Sequence, residues 1–569
     1  MAPTATQAGS GHAARPRQRT GITVAIVLVA AFMQLIDVSI VNVAVASIQQ
    51  GLGATDTQIQ WVLAGYTLAF AVLLVAGGRL GDRLGRRRMF LVGMAGFTLA
   101  SLLCGAATSP AILVGSRLVQ GLAAALMYPQ VYSVIQVAVS PKQRGAVLGA
   151  LGGVIGLAAI TGPLVGGLLI NVNLFGWTWR PIFLVNVPIG VLTIMFALRF
   201  LPESRSEEPH AIDWLGVALV TLGVGLLVYP LVQGRETGWP EWMFGMLAAG
   251  ATALLVFCIY ESYRERTGRT PLVRMSLFAG RGFSGGLILI IVFYGAFLPF
   301  FLVFSLYVQV GLGYSALAAG VTLVPYALGS GAGSGLSIAL APRMGRTILH
   351  IGLALLIAGS CGIAWTVHRV GSHLHGVQLL PSLVVAGLGF GLTVTPLVTL
   401  ILAKVPVHHA GSASGVLTTA QQFGSAGGIA VLGTVFFGLL GAHADTITHA
   451  QTPALTRQIT PLATTGQPAP QVVAGYLTCF HDRANEKDSS VVPASCQDPH
   501  PEPTAVENVL DTYVDQAERE DFAWSAEHTV YVQIGLFAVC FLLVSTLPKV
   551  RGKELAEFEK QAQDAVIIG

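Results

Sequence analysis

Two charged residues lie inside long apolar segments, where a charge is costly and usually has a function. Asp37 falls in the apolar segment 22–45, about 22 Å along it at a helical rise of about 1.5 Å per residue. Arg117 falls early in the segment 110–132, so a helix running the opposite way brings it to a similar depth. A carboxylate at that depth can gain and lose a proton as its solvation changes. The two residues are therefore candidates for coupling proton movement to a second process; the alternative is a static ion pair that only holds helices together.

Polar side chains accompany these two charges. Gln34 and Asn42 lie on either side of Asp37, and Gln120 follows Arg117 by one turn. Each of them alone is consistent with a hydrogen bond between helices. Together they predict a cavity with a few polar contacts and mostly apolar walls, which suits small amphipathic organic molecules. The candidate cavity residues are Gln34, Asn42, Tyr66, Gln120, Gln130 and Gln421.

The composition indicates a membrane environment. Of the 569 residues, 53% are hydrophobic and only 11% are charged, which is too few for the surface of a soluble protein. The net charge of +4 is small and gives no indication of nucleic-acid binding. A bilayer core of about 30 Å is crossed by about 20 helical residues. Apolar segments near that length lie at 22–45, 59–78, 89–107, 110–132, 146–170, 181–200, 212–233, 243–262, 284–306, 317–338, 348–368, 378–401, 415–440 and 528–547. The sequence therefore predicts an all-α polytopic membrane protein with fourteen transmembrane helices.

The positively charged residues predict the orientation of these helices. An even number of spans puts both termini on one side, and that side carries 24 Lys and Arg residues against 7 on the other. Because positively charged loops are retained in the cytoplasm, both termini are predicted to be cytoplasmic, with the protein in the cytoplasmic membrane.

The spans divide into two groups of six around a central pair. The tetrapeptide Arg-Leu-Gly-Arg at 83–86 follows the second span of the first group, and Arg-Met-Gly-Arg at 343–346 follows the second span of the other. Matches in corresponding places indicate a duplicated six-helix unit. The predicted divisions are a cytoplasmic tail 1–21, a six-helix bundle 22–200, a linker with two helices 201–270, a second bundle 271–440, an extracellular loop 441–527, a last span 528–547 and a cytoplasmic tail 548–569.

The predicted extracellular loop contains two features of its own. Thr504 and Glu507 have the spacing of a capping box, and an apolar stripe at helical spacing follows them. An amphipathic helix there would lie on the outer mouth of the bundle; a loosely ordered loop is the alternative. Cys479 and Cys496 share this loop, where an oxidising environment allows a disulfide bond between them.

The fifth span is rich in glycine. Gly162, Pro163, Gly166 and Gly167 permit close approach of a neighbouring helix, and the proline removes one backbone donor and bends its own helix. Such a helix can slide or flex at the interface between the two bundles, or it can simply pack tightly without motion.

Several of these segments resemble motifs of a known family. Residues 78–87, Gly-Arg-Leu-Gly-Asp-Arg-Leu-Gly-Arg-Arg, resemble the signature loop between the second and third spans of the major facilitator superfamily. Residues 35–44, Leu-Ile-Asp-Val-Ser-Ile-Val-Asn-Val-Ala, resemble the first-span motif of its fourteen-span drug:proton antiporters, the EmrB/QacA type. Residues 117–121 are similar to the fourth-span motif and 162–167 to the antiporter motif of the fifth span. The resemblance implies the major facilitator fold, two six-helix bundles plus two extra central helices.

The same resemblance implies roles for particular residues. It places Asp37 and Arg117 in proton coupling. It makes the loop between the second and third spans a cytoplasmic conformational latch, formed by Gly78, Asp82, Arg83, Gly85 and Arg86. It makes the fifth span, with Gly162, Pro163, Gly166 and Gly167, the antiporter helix.

The expected function is export of amphipathic drugs or antibiotics by proton antiport with alternating access. Two alternatives stay open: an exporter of one natural product, lipid or peptide-like metabolite, and a membrane sensor or assembly protein that has lost transport. No nucleotide loop, metal cluster or nucleophile constellation is found in the sequence, so we expect neither an enzyme nor an ATP-driven pump. We expect no cofactor beyond the proton gradient, no metal, no nucleic acid, and a monomer in the lipid bilayer.

Overall fold

The computed structural model describes residues 17–139, 141–205, 213–402, 405, 410–462, 468–485, 492–497 and 504–548. Within these ranges the regular structure is entirely helical. The helices are α1 Arg17–Leu52, α2 Asp56–Leu84, α3 Arg86–Gly105, α4 Pro110–Ala138, α5 Pro141–Val172, α6 Pro181–Leu184, α7 Asn186–Phe200, α8 Trp214–Thr237, α9 Glu241–Arg266, α10 Arg281–Phe297, α11 Pro299–Leu306, α12 Ala316–Thr322, α13 Val324–Met344, α14 Thr347–Val370, α15 Leu380–Leu402, α16 Ala410–Ile459, α17 Ala469–Asn485 and α18 Thr504–Leu543.

These helices supply the predicted membrane spans. Thirteen helical stretches in the described ranges are long and apolar enough to cross a membrane, and a shorter apolar stretch, Thr161–Val172, lies in α5 at the position of the fifth predicted span. Three spans consist of two consecutive helices each, α6 with α7, α10 with α11, and α12 with α13. Two of these breaks fall next to a proline, Pro299 and Pro325, where a backbone hydrogen-bond donor is missing.

The chain forms two bundles, α1–α7 and α10–α16 with α18, and the pair α8–α9 packs beside α2 and α16. We call the end at which α1 begins and α18 ends the tail end, and the opposite end the cap end. The bundles approach each other closely near the cap end. A Cβ atom on Gly167 of α5 would lie 2.6 Å from the carbonyl oxygen of Ala316 in α12, and one on Gly320 would lie 2.5 Å from that of Pro163. Because a side chain at either glycine would collide with this backbone, α5 and α12 meet backbone to backbone.

In its described part, the segment 441–527, which was predicted to be a loop, is a packed helical extension. Helices α16 and α18 run continuously out of the bundle, and α17 packs against α16. Helix α18 begins at Thr504, and the predicted apolar stripe contributes to one hydrophobic cluster together with Leu455 and Tyr476. The stripe residues in that cluster are Val506, Val509, Leu510, Tyr513 and Val514. Of the two alternatives predicted for the described part of this segment, the structure favours the amphipathic helix.

The predicted disulfide is also formed. Cys479, in the second half of α17, is bonded to Cys496, across a separation of 17 residues. The bridge ties the short segment 492–497 to α17, so the extension is closed by a covalent bond in addition to its apolar contacts.

Candidate functional site

The two intramembrane charges form an ion pair. Nη1 of Arg117 donates a hydrogen bond of 2.6 Å to Oδ2 of Asp37, which joins α4 to α1. Asp37 is fully buried and Arg117 is 1% exposed. The arginine also donates from Nε to the carbonyl oxygen of Val62 at 3.1 Å, so its guanidinium is held by two helices. An unpaired charge at this depth would be very costly, and the ion pair with its additional hydrogen bonds offsets part of that cost.

A polar network surrounds the other carboxylate oxygen. Oδ1 of Asp37 accepts a hydrogen bond from Gln120 at 3.0 Å and a second from Asn186 at 2.8 Å. Both amides also donate to the hydroxyl of Ser101, each at 3.0 Å. Gln120 in turn accepts from Arg117 at 2.7 Å. The site is therefore one connected network that joins α1, α3, α4 and α7 within the first bundle.

Local sequence signals position Arg117 on its helix. Helix α4 begins at Pro110, a residue suited to the first helical turn because its missing N–H needs no partner there. The side chain of Ser109 caps the helix by accepting from the backbone N–H of Ile112. Arg117 lies two turns further on, with Gln120 on the same face, which brings both side chains to Asp37.

Aromatic rings cover the ion pair. The guanidinium carbon of Arg117 lies 4.2 Å from the ring centroid of Tyr66 and 5.8 Å from that of Phe183. A cation over an aromatic face is attracted by the ring quadrupole, most strongly where water is excluded. Gln34 donates to the Tyr66 hydroxyl at 3.1 Å. The rings and Gln34 thus form the next layer around the ionic network.

The predicted cavity residues are only partly brought together. Gln34, Tyr66 and Gln120 lie in or beside the Asp37 network, as described above. Asn42 donates to the carbonyl oxygens of Val38 and Ser39 on its own helix. Gln130 is buried and donates to the carbonyl oxygen of Gly77, which joins α4 to α2. Gln421 is half-buried on α16 in the second bundle, and its side chain has no hydrogen-bond partner within the described ranges.

The predicted latch is a compact junction at the tail end. The predicted loop is the junction of two helices: Asp82, in the last turn of α2, and Arg86, the first residue of α3, form an ion pair of 2.9 Å across it. Gly85 ends α2 and begins α3 at a φ of 115°, a conformation open to glycine. The backbone N–H of Arg86 donates to the carbonyl oxygen of Ser204 at 2.9 Å. Gly78 lies half-buried beside Pro129 of α4, and Arg83 is exposed.

A second contact from this motif is made by Arg79 of α2 and reaches the segment that leads to the second bundle. The guanidinium of Arg79 donates to the carbonyl oxygens of Pro271 and Leu272, the latter at 3.2 Å. These two carbonyls belong to the segment between α9 and α10. The motif loop is thus connected to the chain entering the second bundle, a contact that sequence reasoning did not predict.

The predicted antiporter helix packs on both bundles. A Cβ on Gly162 would lie 1.8 Å from Oγ of Ser39, two residues from Asp37 in sequence, and Gly166 packs against Ile40. Gly167 and Pro163 face α12, as described for the fold. Helix α5 therefore bridges the helix that carries Asp37 and the second bundle. Its sliding or flexing stays a prediction.

Two members of the network were missed by sequence reasoning. Ser101 lies in an otherwise apolar part of α3, and Asn186 lies where α6 passes into α7. Asn186 lies within residues 179–188, which resemble a stretch typical of the same family, but that resemblance gave it no role; for Ser101 there was no signal beyond its hydroxyl. Within the described ranges no group of three or more His, Cys, Asp or Glu side chains is arranged to hold a metal ion.

A buried ion pair inside a helical bundle, a second helical bundle beside it and a glycine-containing junction between α2 and α3 together indicate a membrane transporter. The chain belongs to the Major Facilitator Superfamily, whose family profile matches residues 27–429. It is a multi-pass membrane protein of that superfamily.

Curated relatives resemble the chain over most of its length. It is 40% identical over 544 residues to the probable actinorhodin transporter of Streptomyces coelicolor. The alignment covers 95% of this chain and 94% of that protein. It is 35% identical to the puromycin resistance protein of Streptomyces alboniger, over 78% of this chain and 86% of that protein. It is 31% identical to the tetracenomycin C resistance and export protein of Streptomyces glaucescens, over 75% of this chain and 77% of that protein.

Solved structures share the fold. A bacterial homolog of the human lysosomal transporter Spinster, in an inward-facing conformation, aligns with a TM-score of 0.57 at 16% identity, over 94% of this chain and 98% of that chain. A D-xylose-proton symporter aligns with a TM-score of 0.52 at 13% identity, over 73% of this chain and 90% of that chain.

Proposed function

We propose that this protein exports small amphipathic organic compounds from the cell in exchange for protons, as a multidrug or antibiotic exporter of the cytoplasmic membrane. The relatives named above include transport, export and resistance proteins for antibiotics. The charge asymmetry of the loops supports an orientation with both termini in the cytoplasm.

One observation carries the proton-coupled part of the proposal. Asp37 is fully buried, yet its carboxylate is matched by one cation and two amide donors. Protonation of this carboxylate would remove the charge that pairs with Arg117 and weaken the bond between α1 and α4. Because a buried, unpaired cation is unfavourable, Arg117 would then favour a different arrangement of the helices. A proton can in this way bias one conformation of the bundle over another.

In an alternating-access transporter, a proton-dependent preference for one conformation would change which side of the membrane the substrate site faces. The bundles meet at the cap end through α5 and α12. Helix α5 also contacts α1 next to Asp37, through Ser39. A change in the position of α1 would therefore be passed to the helix on which the cap-end contact depends.

The first experiment measures efflux of ethidium from cells that express the protein, with and without a protonophore. We expect efflux that depends on the protein and collapses with the protonophore. Asp37→Asn should abolish gradient-driven efflux at normal membrane expression, whereas Glu241→Gln, which neutralises an exposed carboxylate at the start of α9, should leave it unchanged. Undiminished efflux by the Asp37→Asn variant would remove Asp37 from the mechanism.

A second candidate function is export of one natural product rather than many drugs. The relative that covers 95% of this chain at 40% identity is named for a single compound, which favours this reading. No efflux of ethidium or similar dyes, with gradient-driven export of one antibiotic, would support it over the multidrug function.

A further inference from the structure

The second bundle contains a flat stack of aromatic rings. Phe293 and Phe297 of α10 and Phe390 of α15 have nearly parallel ring planes, with interplanar angles of 12°, 13° and 20° among the three pairs. The centroids of Phe297 and Phe390 are only 4.0 Å apart. Phe301 and Tyr326 border the stack at 5.3 Å and 6.3 Å from Phe297. We call these five residues the aromatic cluster.

The aromatic cluster is not fully covered by the protein. Phe293 is completely buried, but Phe297, Phe301 and Phe390 are only partly buried. Helix α11, which begins two residues after Phe297, packs against α1 of the first bundle. The stack therefore lies near the part of the second bundle that meets the first, at the C-terminal end of α10 and about the middle of α15.

One hydroxyl in the aromatic cluster has no acceptor. Tyr326 is 6% exposed, its ring is surrounded by phenyl rings, and its hydroxyl has no hydrogen-bond partner in the part of the chain that the structure describes. Two other tyrosines of the same bundle do have acceptors: Tyr307 donates to the carbonyl oxygen of Gly371 at 2.9 Å, and Tyr314 to that of Leu374 at 2.8 Å. A buried hydroxyl without a partner is unfavourable, and an acceptor supplied by a bound molecule would remove that penalty.

We propose that the aromatic cluster binds the exported compound, and that this compound is a planar polycyclic aromatic molecule with a carbonyl oxygen at its edge. Parallel phenyl planes favour a flat aromatic partner, because offset stacking needs aligned planes and an aliphatic chain does not. The carbonyl oxygen accepts from the Tyr326 hydroxyl. This inference rests on the proposed export function and adds to it the chemistry of the substrate.

The site differs from the polar cavity predicted in the sequence. The predicted residues Gln34, Gln120 and Gln130 are used in hydrogen bonds inside the first bundle. The aromatic cluster in the second bundle offers stacking surface and one unused donor instead. Proton binding and substrate binding are thereby assigned to different bundles.

The test is a binding measurement on purified full-length protein in lipid nanodiscs, without any proton gradient. Two fluorescent planar probes are compared by quenching: an anthracycline, which carries quinone carbonyls, and an acridine dye, which carries none. We expect the wild type to bind both. Tyr326→Phe should weaken anthracycline binding by about 5-fold, the loss of one hydrogen bond, and change acridine binding by less than about 2-fold.

A second pair of variants tests the stack. Phe390→Leu keeps an apolar side chain but removes one parallel ring, so it should lower the affinity for both probes by about 5-fold or more. Phe196→Leu makes the same change on α7, at a ring that is 50% exposed, and should leave both affinities unchanged. Thermal unfolding of each variant verifies that the protein is folded.

The outcomes separate this inference from the proposed function. Three results would overturn the inference, even where cells still show protonophore-sensitive ethidium efflux. They are wild-type protein that binds neither probe, an equal loss of affinity for both probes in Tyr326→Phe, and no loss of affinity in folded Phe390→Leu. Binding as expected without any gradient-driven export would support the substrate site and overturn the proton-coupled function.

Discussion

The side-chain amide of Asn186 donates a hydrogen bond of 2.8 Å to Oδ1 of Asp37 and so joins α7 to α1. Gln120 donates to the same oxygen and Arg117 to the other. Hydrogen bonds to the ionised form of a carboxyl group stabilise that form over the protonated one. Asn186 is thus placed to set the ease with which Asp37 takes up a proton.

The first prediction concerns that bond. Asn186→Leu removes one donor to the carboxylate while keeping a side chain of similar size. A hydrogen bond to a charged group contributes about 1.5–3 kcal/mol, and one pH unit corresponds to about 1.4 kcal/mol. The variant needs a lower proton concentration to protonate Asp37, so the midpoint of gradient-driven export should move to higher pH by about 1 unit. The midpoint is measured from the rate of export by proteoliposomes at a series of pH values.

A matched control lies on the same helix. Thr193 of α7 is buried and donates only to the carbonyl oxygen of Ile189, at 2.7 Å, one turn earlier. Thr193→Val should leave the midpoint where it is. A midpoint that is unchanged or lower in Asn186→Leu would show that Asn186 serves packing alone.

The second prediction concerns the junction loop. Gly85 has a φ of 115°, and a Cβ there would lie 2.5 Å from Oε1 of Glu203. Gly85→Ala should therefore cost about 1–3 kcal/mol in backbone strain alone and lower the unfolding temperature. Gly115→Ala on the exposed face of α4, where a Cβ meets nothing within 4 Å, is the control and should be neutral or slightly stabilising. Equal unfolding temperatures for the two variants would contradict the argument.

Much of the site could be predicted because charges inside apolar segments are rare. Asp37 and Arg117 were found from their depth alone, and the structure brings them together at 2.6 Å; their part in proton coupling stays a prediction. The division into spans followed from apolar length, since a bilayer demands about 20 helical residues whatever their order. The superfamily followed from the motif loop and is confirmed by the family profile.

The rest depends on helix neighbours, which spacing along one chain does not reveal. Ser101 and Asn186 become important only because α3 and α7 pack against α1 and α4. Asn42 has the same polarity as Asn186 but bonds its own helix. The aromatic cluster was invisible for the same reason, because phenylalanines in an apolar segment have no distinctive spacing. The fourteen-span subclass and the monomeric state stay predictions.

The third prediction concerns the covalent bond in the extension. Cys479 and Cys496 close a short loop, and a disulfide across about 15 residues stabilises by about 3 kcal/mol through the unfolded state. Replacing both cysteines by serine should make residues 441–527 more sensitive to limited proteolysis, while ethidium efflux stays near that of the wild type. Replacing the exposed Cys258 and Cys361 by serine is the control and should change neither. Loss of efflux in the first variant would assign the extension a part in transport.

The fourth prediction concerns the contact between the motif loop and the segment leading to the second bundle. Arg79 donates to the carbonyl oxygens of Pro271 and Leu272. Arg79→Met keeps most of the side-chain length but removes both bonds, each of which contributes about 1.5–3 kcal/mol because its donor is charged. Because the contact holds the start of the second bundle to α2, its loss should lower the rate of gradient-driven export severalfold while probe binding in nanodiscs is retained.

The control for Arg79 is taken from the same loop. The family resemblance assigns Arg83 to the latch, but its side chain is exposed, so Arg83→Met removes the same charge without removing a described contact with 271–272 and tests that assignment as well. We expect export near the wild-type rate from Arg83→Met and partial recovery in Arg79→Lys, which retains a donor of shorter reach. If both methionine variants lose export equally, the positive charge of the loop matters rather than the contact, because only one of the two side chains reaches the segment before α10.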